Sequence, residues 1–178
     1  MVATLHILKS ITFAYDAAED RILAAINPGR PEAWSCWLTR RLALALLGRA
    51  EQFVASTSPL VQRATADRRA DLVAFEREAA IAKTAPAMSQ TPPEVVKSNV
   101  ASAELAQRVT ISHQGERFRM EIHGGDGSGA EAMLTPAELQ RILQMLQQTV
   151  AKAAWSVAPA GPQPAPATEE TAPKPFRH

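Results

Sequence analysis

Cysteine and tyrosine each occur once in the 178 residues, histidine four times, aromatic residues make up 5%, and the formal net charge is +1. Each scarcity excludes something. A lone Cys36 forms no internal disulfide and no cysteine-rich metal site, and its place in an apolar run reads as a small buried hydrophobe. Lysines and arginines number 11 against 9 acids through residue 83, then 8 against 9. Neither half therefore carries the overall footprint of a nucleic-acid or membrane-surface binder. The apolar stretch from Leu5 to Tyr15 is broken by His6, Lys9, Ser10 and Thr12. It is neither a signal-peptide core nor a membrane span, so a cytoplasmic protein is expected.

Catalytic patterns are equally scarce. No two of His6, His113, His123 and His178 have the helical spacing of metal ligands. Adjacent strands would bring His113 toward His123, and surface histidines are the expected reading. No Gly-x-Ser-x-Gly elbow occurs, and Cys36 has no recognisable histidine partner. The loop Gly124-Gly125-Asp126-Gly127-Ser128-Gly129 lacks the Gly-Lys-Ser/Thr that opens a helix in a phosphate loop, and reads as a hairpin connection. The expectation is a non-enzyme with no cofactor and no metal.

What is present is periodic. Ser10 to Tyr15 alternates as a strand with Ile11, Phe13 and Tyr15 on one face, and Arg21 to Asn27 returns beside it. Asn27-Pro28-Gly29 is a turn, and Ala33 to Leu38 a third strand carrying Trp34 and Trp37. Thr39 caps a helix to about Ser56, and Ser58-Pro59 restarts the chain into another, Leu60 to Lys83, with Leu72, Phe75 and Ala79 as its buried stripe. Residues 84–107 are rich in Pro, Ser, Thr, Ala and Gln and read as a linker. Arg108–Ser112 and Glu116–His123 then form a hairpin and Ala130–Leu134 a short strand. Thr135-Pro136-Ala137-Glu138 opens a last helix to about Trp155, with a capping box and proline at its first position. Residues 156–178 read as a disordered Pro/Ala-rich tail.

The two blocks align without a gap at an offset of 96. Arg21 meets Arg117, Ile26 meets Ile122, Gly29 meets Gly125, Leu38-Thr39 meets Leu134-Thr135, and Leu47, Gln52, Val54 and Ala55 meet Leu143, Gln148, Val150 and Ala151. An internal duplication follows. Neither copy builds a good core alone. The expected fold is α+β: two duplicated ββ(β)α units, 1–83 and 108–155, packed as one body, with an intervening helix, the 84–107 linker and the tail.

The residues Glu19-Asp20-Arg21-Ile22-Leu23 and Trp37-Leu38-Thr39-Arg40-Arg41 resemble the start of a family of uncharacterised proteobacterial proteins. That family continues through a helical middle to a helix closing on tryptophan, as at Trp155 here. The resemblance spans most of residues 7 to 155 and implies a bacterial protein, but no activity and no site residues.

Two features point to a surface. Arg40 and Arg41 occupy a first helical turn, where cations oppose the macrodipole, while the second copy has Pro136 and Ala137 followed by Glu138. Free N–H groups and two guanidiniums there suit an anion: a partner's acidic side chain, a phosphate, or this chain's own Glu19 or Asp20. Trp34 and Trp37 lie three apart, so a strand points them to opposite faces, and the one turned from the helices is covered by the second sheet or by another protein. By contrast, Arg63, Arg68, Arg69 and Arg77 interleave with Asp67, Asp71, Glu76 and Glu78 as a solvated face. The expected function is a non-catalytic protein–protein interaction, as an adaptor or assembly protein, with no membrane partner. A single-stranded nucleic-acid-binding module is the alternative.

Overall fold

The computed structural model describes residues 4–83 and 102–155. Residues 84–101, most of the expected linker, and the tail 156–178 lie outside them. Eight strands and four helices follow in the order β1 (Leu5–Ile7), β2 (Ile11–Asp16), β3 (Arg21–Ile26), β4 (Trp34–Thr39), α1 (Arg40–Thr57), α2 (Pro59–Arg63), α3 (Arg69–Lys83), β5 (Glu104–Leu105), β6 (Arg108–Gln114), β7 (Arg117–His123), β8 (Gly129–Leu134) and α4 (Pro136–Lys152). The fold is α+β. The elements from β2 to α1 reappear in order from β6 to α4, with Arg21 and Arg117 opening equivalent strands and Thr39 and Thr135 both capping helices.

The strands form two sheets, ordered β2-β3-β4-β5 and β1-β8-β7-β6. Three antiparallel strands of each come from one unit. The fourth is short, parallel and donated by the other: β1 lies on β8, His6 opposite Ala130, and β5 lies on β4, Cys36 opposite Glu104. The two units thus exchange edge strands. The helices join them further, since α1 packs on β6 as well as on β3 and β4, and α4 packs closely on β2 as well as on β7, β8 and α1. A single core runs from Ile22, Ile26 and Leu38 through Leu47, Leu139 and Leu146 to Phe118 and Ile122.

Three expectations need correction. Residues 104–107 are not linker: β5 pairs with β4, the Ala106 N–H donates to the Trp37 carbonyl (3.0 Å), and the Gln107 N–H donates to that of His123 (2.9 Å). A two-residue strand held by a distant partner leaves no periodicity to read. The middle helix is two helices, broken over residues 64–68, where the Ala64 backbone is extended and a hydrogen bond from Thr65 holds the Asp67 carboxyl below its usual range. Side chains of this kind compete with the helical ladder. Lastly, Leu72, Phe75 and Ala79 do not form a buried stripe, and Phe75 is 67% exposed. Instead α3 rests on α4, with Arg77 bonded to Glu51 and Gln147, so Phe75 borders a cleft.

Cys36 and Trp34 settle into this core, and burial pushes the Cys36 thiol up to about 12, which leaves it unreactive. Among the described residues, no helix is long and apolar enough to cross a membrane.

Where the chain crosses from one sheet to the other, between β1 and β2, a single side chain holds it. Asn27 is fully buried, with its Oδ1 accepting from the Lys9 (2.8 Å) and Ser10 (3.1 Å) N–H groups and its Nδ2 donating to the Ile7 carbonyl (2.8 Å). Its backbone is left-handed, φ 48°, a conformation that asparagine tolerates better than most residues. Asn27→Ala should therefore cost about 2–4 kcal/mol in urea unfolding, from stranded donors and backbone strain together. Asn27→Gly should recover about 1 kcal/mol of that by relieving the strain alone. A loss under about 1 kcal/mol for the alanine variant would show that the crossing holds without the clamp.

Candidate functional site

The first-unit hairpin turns at Asp20, whose backbone is left-handed at φ 48°. Its Oδ1 accepts from the Trp155 indole N–H (2.8 Å) and from the Tyr15 hydroxyl (2.9 Å). Those bonds, the indole's first, hold the Asp20 carboxyl below the usual aspartate range. The bond to Asp20, with that carboxylate's charge, raises Tyr15. The Tyr15 and Trp155 rings meet edge to face at 5.7 Å.

Trp155 reaches this place because α4 ends in a Schellman turn. The Trp155 N–H donates to the Val150 carbonyl (3.2 Å), the Ala154 N–H to that of Ala151 (3.1 Å), and Ala154 sits at φ 52°. An alanine in that conformation is strained by about 1 kcal/mol, offset by burying the indole behind it.

Arg40 and Arg41 open α1 beside this cluster, and both are exposed. Thr39 Oγ1 accepts from the Leu42 N–H (3.2 Å), and no acidic residue stands in the first turn. Among the described residues neither guanidinium has a hydrogen bond or an ion pair, and Arg40 reaches Asp20 only through its field. The start of α4 is complete by comparison. The Thr135 hydroxyl accepts from the Glu138 N–H (3.3 Å), and Glu138 Oε2 accepts from the Thr135 N–H (2.8 Å).

The tryptophans do not join the arginines, which corrects their place in the expected partner surface. Trp34 is 7% exposed, stacked on His6 at 6.2 Å, and donates its indole N–H to Glu104 Oε1 (3.2 Å). Glu104 Oε2 also accepts from the Asp126 N–H (3.3 Å), tying β5 to the glycine-rich loop, where a Cβ at Gly124 would strike that carboxylate. Trp37, 8% exposed, does point to the opposite face, into a small cluster with Leu23, Ala14 and Ala103. Both indoles are spent on packing, because the strand β5 and Ala103 that cover them belong to a segment read as linker.

His113 and His123 lie at opposite ends of the β6–β7 ladder, opposite Phe118 and Arg108. Among the described residues, no group of three or more His, Cys, Asp and Glu is placed to hold a metal.

Sequence reasoning missed one feature, an apolar cleft of about 690 Å³ between α3, the β6–β7 hairpin, the end of α1 and the start of α4. The 96-residue offset contained its signal, because Trp155 falls opposite Pro59 and Asp20 opposite Glu116. One unit closes on an aromatic ring, and the other has none at that position.

No protein-family model, curated protein or solved structure matches the chain.

The Asp20 cluster makes stability pH-dependent in a defined direction. A carboxyl depressed in the folded state contributes stability that is fully present above its unfolded value, about pH 4, and is lost as pH falls through the folded one. Asp20→Asn, which keeps a residue suited to positive φ, should flatten that part of the acid-side fall in the urea midpoint. An unchanged acid limb would show that the cluster does not titrate with folding.

Proposed function

We propose that this protein works as a non-catalytic protein-interaction module, an adaptor or assembly subunit of a bacterial cytoplasm. The observation that carries the reading is the exposed Arg40–Arg41 pair at the start of α1, which has no ion-pair partner among the described residues. Two exposed guanidiniums at the positive end of a helix form a receptor for a carboxylate on a partner, and arginine is a frequent anchor of interface energy. Leaving cations there costs the isolated fold a few tenths of a kcal/mol each, and a bound carboxylate reverses that sign.

The single-stranded nucleic-acid reading has less support. Stacking platforms need open aromatic faces, and Trp34 and Trp37 are buried. On the outer face of the second sheet, Arg119 is neutralised by Glu121 (3.0 Å) and Glu131 (2.7 Å).

Arg40→Ala/Arg41→Ala should leave stability within about 0.5 kcal/mol of the parent, since no ion pair among the described residues is broken. The same variant, tagged and expressed in its native host, should lose at least tenfold in recovery of the proteins that co-purify with the parent chain. Equal recovery would remove the arginine pair from the interface. A salt-dependent mobility shift with single-stranded DNA or RNA, abolished by the double variant, would favour the nucleic-acid reading instead.

A further inference from the structure

The two units start from the same architecture and finish it differently. In the first, the hairpin turn, the start of α1 and the end of α4 converge, and Trp155 seals the space between them against Tyr15 with its N–H on Asp20. In the second, the equivalent parts also converge: the β6–β7 turn at Gly115 and Glu116, the start of α4 at Pro136, and the end of α1 at Thr57. Here, among the described residues, no aromatic ring folds back from the end of the helix as Trp155 does. The α1 cap, Ser58, is extended at ψ 119°, so the chain leaves into α2 instead of turning as α4 does at Ala154. The opening that remains is the 690 Å³ cleft, floored by Phe118 and walled by Val54, Ala79 and Pro136, with Phe75 (67% exposed) and Leu60 (59% exposed) at its rim.

Glu116 stands at the position of Asp20, and among the described residues it has no hydrogen-bond or ion-pair partner. Glu76 lines the same cleft, bonded by the Ser58 hydroxyl (2.8 Å), and among the described lining residues Lys83 is the one lysine or arginine, with His113 tilted on Phe118. The walls thus offer an apolar slot for a ring, an acceptor where the other unit has one for an indole N–H, and an excess of negative charge around them.

We infer that this cleft receives a tryptophan side chain with an adjoining lysine, presented by a protein partner: the indole enters against His113 and Phe118, which face each other across β6 and β7 as Tyr15 and Ile22 do across β2 and β3, and Glu116 takes the indole N–H or the ammonium. The site lies at the opposite end of α4 from Arg40 and Arg41, about 25 Å along a helix of this length. It goes beyond the arginine pair and stands or falls without it.

The test is a titration of the ¹⁵N-labelled full chain with N-acetyl-tryptophanyl-lysinamide, followed by amide shifts. Saturable shifts centred on Ala79, Gly115, Glu116 and Ala137 are expected, with none from the alanyl-lysinamide control. Glu116→Gln should weaken binding three- to tenfold. Ala79→Trp, which fills the slot, should abolish it. Phe75→Ser changes only an exposed ring and should weaken binding severalfold even if the filled variant fails to fold. Absence of saturable shifts, or shifts centred elsewhere, overturns the proposal. So does a tenfold or greater gain in affinity on removing residues 157–178, which would make the chain's own tail the occupant. The dipeptide reads only this cleft, and co-purification through Arg40 and Arg41 reads only the other end, so either can fail alone.

Discussion

The fold depends on one crossing, at which the chain leaves the second sheet after Ile7 and enters the first at Ile11. Within that step it must exchange a parallel partner, β8, for an antiparallel one, β3. Backbone groups at such a switch lose their ladder partners, and leaving them dry costs about 1–3 kcal/mol each. Asn27 supplies what the ladders do not: an acceptor for two N–H groups and a donor for one carbonyl, from a buried amide on a left-handed residue. The same residue's own N–H donates to the Ser10 carbonyl (2.9 Å), so β3 grips both sides of the crossing. The reverse crossing, from β5 to β6, uses backbone alone, the Gln107 N–H on the His123 carbonyl. One unit therefore needs a particular side chain at position 27 while the other does not at position 123, although the two positions match.

Each unit completes the other's sheet with a short parallel edge strand. Removing β1 would bare an edge of β8, and removing β5 would bare Trp34 and Trp37 together with the Glu104 carboxylate that holds the glycine-rich loop. The exchange also explains the composition of β3, in which Ile22 through Ile26 are all buried though a sheet has two faces. One face meets α1 and α4, and the other carries Leu23 beside Trp37 and Ala103. A strand buried on both sides reads as a continuous apolar run, which Arg21-Ile22-Leu23-Ala24-Ala25-Ile26 is.

Legibility followed the range of the interactions. The two hairpins, the caps at Thr39 and Thr135, and the repeat from β3 and β7 onward were readable because period-two alternation and capping chemistry are local, but the gapless offset fails at β2 and β6, since Asp16 pairs with Arg21 where Gln114 pairs with Arg117. The strands β1 and β5 were not, since two or three residues held by distant parallel partners carry no period. Phe75 misled for a related reason: its i, i+4 neighbours describe a stripe, but α3 has Val73, Arg77 and Ile81 turned to α4, and the stripe borders open space. Trp34 and Trp37 misled because what covers them came from a segment that looked unstructured. Arg40 and Arg41 were placed correctly at an exposed helix start, since the dipole argument needs only the helix boundary. Neither carboxylate expected as an intramolecular partner, Glu19 or Asp20, forms an ion pair with them among the described residues, because Asp20 is bonded by an indole 135 residues away.

The differences between the halves fall in one pattern. Matched core positions keep their roles: Ile22 and Phe118, Leu38 and Leu134, Leu47 and Leu143 are all buried. The mismatches cluster at the two ends of α4. At one end Trp155 closes the first unit, and the cost is an alanine forced to φ 52°. At that same end α1 begins with two cations that its dipole disfavours, next to a carboxylate already engaged by Trp155 and Tyr15. At the other end α4 begins with every local preference met, yet among the described residues the space beside it has no counterpart of Trp155. Packing alone would favour a proline or an acid in place of Arg40 and an aromatic in place of the gap. Each departure leaves the shared core untouched: exposed charge at one end of the helix and open apolar volume at the other, the two features on which the proposed partner contacts rest.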